Sequence, residues 1–133
     1  MTEGAITAVD AWRTRLAASR AALLRALEGV TERDFAAAFD GDRSLVHVLA
    51  ELAVAERMAV ARARGDEREA RVPDRPLAPQ VIHDLAGARY TTERLLADAA
   101  AAGEASDRLA ALVDGIVDRE QAVAARLAAR ARE

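Results

Sequence analysis

The sequence predicts an all-α fold, a four-helix bundle, on three observations. Apolar residues recur at helical spacing along four long segments. Alanine, the best helix former, supplies much of the apolar share, and period-two alternation is nowhere sustained. No strand is expected. The chain of 133 residues fits one domain, residues 1–133, and is long enough to bury roughly two-thirds of the surface its unfolded form exposes.

The first helix is expected over about 5–29. Val9, Trp12, Leu16, Leu23, Leu27 and Val30 form its apolar stripe, Arg13, Arg15, Arg20 and Arg25 take the exposed sides, and Gly29 ends it. A short helix starts behind Thr31 as cap, with Phe35 and Phe39 pinning it to the bundle. Asp40-Gly41-Asp42 then breaks the chain, and Asp42 or Ser44 caps a second main helix over about 43–64. Its stripe is Leu45, Leu49, Leu52, Glu56 and Ala59. A third helix over about 78–102 uses Val81, Ile82, Leu85, Leu95 and Leu96 and stops at Gly103. Ser106 or Glu104 opens a fourth over about 105–130, with Leu109, Leu112, Val113, Ile116, Val123 and Leu127.

Loop lengths bear on topology. The short link between the third and fourth helices forces antiparallel neighbours. The segment GDEREARVPDRPL (residues 65–77), rich in charge and holding Pro73 and Pro76, is a connector. Its roughly twelve residues span up to ~40 Å when extended, whereas a helix of about 22 residues is only ~33 Å long. The connector can therefore run the length of the bundle, leaving the second and third helices parallel. The expected order is up-down-down-up.

Composition removes several classes of function. Aromatics are 3% of the chain, which leaves a core of Leu, Val and Ala and little stacking surface for nucleotides or flavins. The net charge of −3 lacks the basic footprint of a nucleic-acid binder. With no Cys there is no disulfide, thiolate metal site or Cys nucleophile. MTEGAITAVDAW at the start is acidic and unlike a signal peptide, and no run approaches ~18 apolar residues. A cytoplasmic protein with no membrane partner is expected.

Few residues invite chemistry. His47 and Glu51 stand one turn apart, suited to a two-ligand metal arm or, as the favoured reading, a rim ion pair. His83 reads as a solvated helix histidine. Asp114, Asp118 and Glu120 form a carboxylate cluster on the fourth helix, with Arg119 and Arg126 beside them, so surface salt bridges are favoured there too. Di-metal bundles need Glu-x-x-His on two helices, and neither histidine has a Glu three residues before it. Glu56 lies on the stripe of the second helix and Arg89 interrupts that of the third. A charge facing a core must be paired or reach water, so a Glu56–Arg89 pair is expected, with snorkelling to the rim as the alternative. There is no phosphate-binding glycine loop, Ser-His-Asp set or HExxH motif.

DGDRSLVHVLAELAVAER (residues 40–57) resembles the second-helix signature of the DinB-like superfamily: glycine, a Trp or similar residue, Ser, an apolar helix start, a metal-binding His with Leu-Ala after it, and a Glu five positions after the His. VDREQAVAARL (residues 117–127) resembles its fourth-helix signature, His-x-x-x-His followed by small residues and Leu. The first-helix pattern and the crossover connector agree, so the likeness covers nearly the whole chain. It implies a four-helix bundle, often dimeric. In many members three His at one end hold a divalent metal, and some are transferases or isomerases using a thiol such as mycothiol or bacillithiol. Here the first ligand position falls on Glu51, seven residues after Ser44, and the other two on Val117 and Gln121. Glu56 matches the acidic position. The resemblance implies that Glu51, Val117 and Gln121 lie together at one end of the bundle, a degenerate metal site.

The expected function is therefore a metal-free, non-catalytic bundle acting as a small-ligand-binding or assembly module, with no cofactor. His47, Glu51, Glu56, Arg89, Val117 and Gln121 are the candidate pocket residues. The alternative is a thiol transferase or isomerase whose metal has moved to Glu51 with His47 or the acids of the fourth helix. A homodimer is expected, from family habit and from alanine faces that let a partner approach closely (Ala17, Ala18, Ala21 and Ala22; Ala124, Ala125, Ala128 and Ala129).

Overall fold

A computed structural model describes residues 2–66 and 70–132; part of the 65–77 connector thus lies outside the described residues. The fold is mainly helical: α1 (Thr2–Leu27), α2 (Glu32–Ala36), β1 (Ala38–Asp40), β2 (Arg43–Ser44), α3 (Leu45–Ala63), α4 (Ala78–Ala102) and α5 (Asp107–Arg130). Four of these are the expected long helices. No helix is long and apolar enough to cross a membrane among the described residues.

The expectation of no strand is corrected. β1 and β2 pair antiparallel, Ala38 with Ser44 and Asp40 with Arg43, with an irregularity between Ala38 and Asp40. Gly41, at φ 62°, supplies the positive-φ turn residue that the Asp-Gly-Asp break requires. The ladder also explains why α3 starts at Leu45 instead of 43: Arg43 and Ser44 are held extended in β2. Ser44, at φ −70° and ψ 160°, then turns its hydroxyl to accept from the His47 backbone N–H, so Ser44 is the cap and Asp42 is not. Thr31 caps α2 through a reciprocal box with Asp34, and Ser106 caps α5.

The chain packs as two compact units, Met1–Glu28 with Glu93–Glu133 and Gly29–Thr92. In the first, α1 and α5 lie close along their length. Arg15 bonds Asp114, and Arg20, further along α1, bonds Glu120, further along α5. The two helices therefore run in the same direction. Val9, Leu16, Leu96, Val113, Ile116 and Val117 form an apolar cluster, against which half-buried Trp12, Ala100 and Leu112 pack. Sealing each of its fully buried leucines is worth about 1.5–3 kcal/mol.

In the second unit, α2 and the hairpin pack on α3. Phe39 of β1 is buried and Phe35 only half so, which makes Phe39 the main anchor. The buried face of α3 is Leu45, Val46, Leu49, Ala50, Ala53, Glu56 and Val60. It is rotated from the expected stripe, because Leu52 and Ala59 are only half-buried.

Candidate functional site

Glu51 sits two turns into α3, where its carboxylate meets the hairpin. Arg43 Nη1 lies 2.6 Å from each of its oxygens, and His47 Nε2 lies 3.4 Å from Oε1. The other arm of the Arg43 guanidinium bonds Asp40 across the turn. Arg43 therefore bridges two carboxylates. The hydrogen bond to Asp40 and the charge of Glu51 hold its pKa above the ordinary guanidinium value. The expected His47–Glu51 rim pair is present, and Arg43, which sequence reasoning did not single out, is the stronger partner. Its place two residues beyond a glycine turn and eight before Glu51 carries no periodic signal; the hairpin brings it there.

Glu56, five residues further along α3, is 3% exposed. Arg89 of α4 meets it through Nε at 2.9 Å from Oε2 and Nη2 at 3.5 Å from Oε1, so the expected pair forms. Thr92 completes the cluster. Its hydroxyl has one proton and lies 2.6 Å from Glu56 Oε2 but 3.3 Å from the Ala88 carbonyl, so the carboxylate takes it.

A second buried carboxylate lies in the other unit. Glu120 is 2% exposed, with Arg20 Nε 3.3 Å and the Ser19 hydroxyl 3.4 Å from Oε2, and Arg20 Nη2 3.4 Å from Oε1. This corrects the surface reading of the α5 acids: Glu120 is a core residue. The signal was in the sequence, since Glu120 falls midway between Val113 and Leu127 on the α5 apolar stripe. Asp114 does sit in an exposed ion pair, with Arg15 of α1 at 2.8 Å, and Asp118 is exposed.

The remaining candidates divide between the units. His47, Glu51, Glu56 and Arg89 belong to one, Val117 and Gln121 to the other. Val117 is buried in the apolar cluster, whereas Gln121 is exposed on α5. His83 is exposed. Among the described residues, no three His, Asp or Glu side chains gather in a way that could hold a metal ion. An open groove of about 500 Å³ lies along α1, lined by Asp10, Arg13, Thr14, Ala17 and Glu93, none of them among the candidate pocket residues. The 2.6 Å ion pair of Arg13 with Glu93 ties α1 to α4 there.

Family models, curated proteins and solved structures were each compared with the chain, and none matches it.

Proposed function

We propose that the chain is a DinB-like four-helix bundle in up-down-down-up order that has lost metal chemistry and serves as a small-ligand-binding or assembly module. The order is supported by the parallel course of α1 and α5. Four long helices joined only by hairpins would bring the first and last antiparallel; a parallel pair calls for one connection that does not reverse the chain. The 65–77 connector has the length for it.

The observation that carries the functional half is the state of Glu51. Both of its oxygens are engaged by Arg43 at 2.6 Å, and His47 is turned to the same carboxylate. A catalytic zinc or similar ion needs about three protein donors and an open position. At the two other positions the resemblance implies, Val117 has no donor and Gln121 only a neutral amide. For assembly, the alanine faces are accessible: Ala17, Ala18 and Ala21 of α1 and Ala125 and Ala129 of α5 are exposed. We assign a homodimer in the cytoplasm on this reading.

The test is elemental analysis of protein purified without chelator, followed by zinc and nickel titration in a calorimeter. Sub-stoichiometric metal and no binding heat are expected. About one equivalent of either ion would overturn the reading in favour of a relocated-metal thiol transferase.

A further inference from the structure

The groove along α1 holds about 500 Å³, within the size range of small-molecule sites. Its lining belongs to one of the two units: Asp10, Arg13, Thr14 and Ala17 come from α1 and Glu93 from α4. The α1 residues reach it together because they recur at spacings of three and four, which keeps them on one face of the helix.

Asp10 and Arg13 stand at the spacing at which an acid and a base on one helix can pair. They do not pair. Arg13 turns to Glu93 instead, with Nε 2.6 Å from Oε2, and the Asp10 carboxylate has no hydrogen-bond or ion-pair partner among the described residues. A guanidinium presents its N–H donors in a flat fork. The contact to Glu93 takes the one at Nε and restrains the group. The donors on Nη1 and Nη2 are unengaged among the described residues, and that end of the fork matches the two oxygens of a carboxylate. Thr14 adds an acceptor. Its single proton goes to the Asp10 carbonyl at 2.9 Å, so the hydroxyl oxygen still offers lone pairs to a donor.

These groups select a ligand class. Asp10 and Glu93 outnumber Arg13, so a simple anion meets net repulsion. A simple cation finds Asp10 but makes no use of the guanidinium fork. A zwitterion with an ammonium and a carboxylate on one carbon engages both. Cβ atoms at the spacing of Asp10 and Arg13 lie ~5–6 Å apart, near enough for one small molecule to bridge the two side chains. Ala17 leaves room beside them for an apolar side chain of modest size.

We propose that this groove binds a free α-amino acid, with Arg13, tied to Glu93, holding the carboxylate, and Asp10 and Thr14 holding the ammonium. The site gives a ligand class to the small-ligand half of the reading above and rests on that half. It does not involve Glu51, Val117 or Gln121. Metal found by elemental analysis would therefore leave it standing, and its own failure would leave the loss of metal chemistry untouched.

Titration of isotope-labelled protein with L-valine to millimolar concentration tests this by NMR. The backbone N–H signals from Asp10 to Ala17 and that of Glu93 should move and saturate. Isovalerate is valine without its ammonium, and isobutylamine is valine without its carboxylate. Each should bind about tenfold more weakly or worse, the loss expected for one charge-assisted contact. Arg13→Gln and Asp10→Asn should weaken valine binding at least as much. Both side chains are exposed, so the variants should keep the parent's spectrum away from the groove. Valine that moves none of these signals, or that binds both variants as it binds the parent, would overturn the proposal. Isobutylamine binding as tightly as valine would overturn it in favour of a cation site, and isovalerate doing so in favour of an anion site.

Discussion

Nε of Arg89 lies 2.9 Å from Oε2 of Glu56, and the Thr92 hydroxyl lies 2.6 Å from that same oxygen. With Glu56 3% exposed, the carboxylate has little water to replace either partner. Removing Arg89 alone therefore takes a charged partner from a buried carboxylate. Arg89→Met should cost about 3–5 kcal/mol, whereas Thr92→Val, which removes one hydrogen bond, should cost about 1.5–3 kcal/mol. Urea unfolding of the two variants measures both. Equal and negligible losses would mean that the carboxylate is well solvated in solution.

The α3–α4 interface makes a second, opposite prediction at Gly87. A Cβ built there would stand 2.6 Å from Nη2 of Arg57. Arg57 is exposed, and its guanidinium is the far end of a flexible side chain, so it can swing aside. Alanine in a helix interior is favoured over glycine by about 0.5–1 kcal/mol. Gly87→Ala should then be within ~1 kcal/mol of the parent, and stabilising by the full helix-propensity difference when Arg57→Ala is already present. A large loss in the double variant, read by thermal melting, would place something other than Arg57 against that glycine.

These two sites show what periodicity could and could not reveal. Glu56 and Arg89 were legible because each is a charge on an apolar stripe, and buried charges need partners. Glu120 obeys the same rule, yet its acidic neighbours Asp114 and Asp118 drew it towards a surface reading. The structure separates them by face: Asp114 and Asp118 are exposed, and Glu120 is buried. The hairpin was not legible at all. A ladder of so few residues has no room to show alternation, and its stability comes from the turn at Gly41, buried Phe39 and the Arg43 bridge, which lie in no periodic pattern. Helix ends were legible to within a few residues, because Ser44, Ser106 and Gly103 have side chains or backbone freedom suited to caps and stops.

Arg43 leads to a prediction about pH and salt. Its pKa is raised by the hydrogen bond to Asp40 and the charge of Glu51. A cation with a raised folded pKa contributes stability that is fully present below its unfolded pKa and is lost only as pH rises through the folded one. For a guanidinium that loss lies beyond the alkaline range in which proteins stay folded. The difference in melting temperature between the parent and Arg43→Gln should thus be flat from neutral pH to pH ~10. Because the group is exposed, the difference should shrink as salt is raised towards ~1 M, where the screening length falls to about 3 Å. A difference that ignores salt would mean that Arg43 acts through packing and not charge.

Ser44 joins the hairpin to α3, and its hydroxyl accepts the His47 N–H at 3.2 Å. Ser44→Ala should cost about 1 kcal/mol, and Ser44→Asp should restore the loss, since a carboxylate caps equally well and suits the positive end of the helix. Thermal melts of the two variants check this. If alanine and aspartate behave alike, β2 pairing and not the cap starts α3.

The last prediction tests the proposed frame itself. If the chain is a DinB-like bundle, Glu51, Val117 and Gln121 occupy the positions of three metal ligands. Changing all three to His should then build a site for zinc or nickel. Two costs come with it. Glu51→His releases Arg43 from its carboxylate, and Val117→His puts a polar ring into the cluster of Val9, Leu16, Leu96 and Val113. The metal-free triple variant should therefore melt below the parent. Added metal should reverse that, because an ion that binds only the folded state stabilises it by about 2.7 kcal/mol at a hundredfold excess over Kd. Differential scanning fluorimetry with and without zinc, beside a Val117→His single variant as control, reads the effect. A folded triple variant whose melting temperature does not respond to either ion would reject the DinB-like frame, whereas a response shared by the single variant would show binding that does not depend on the three positions together.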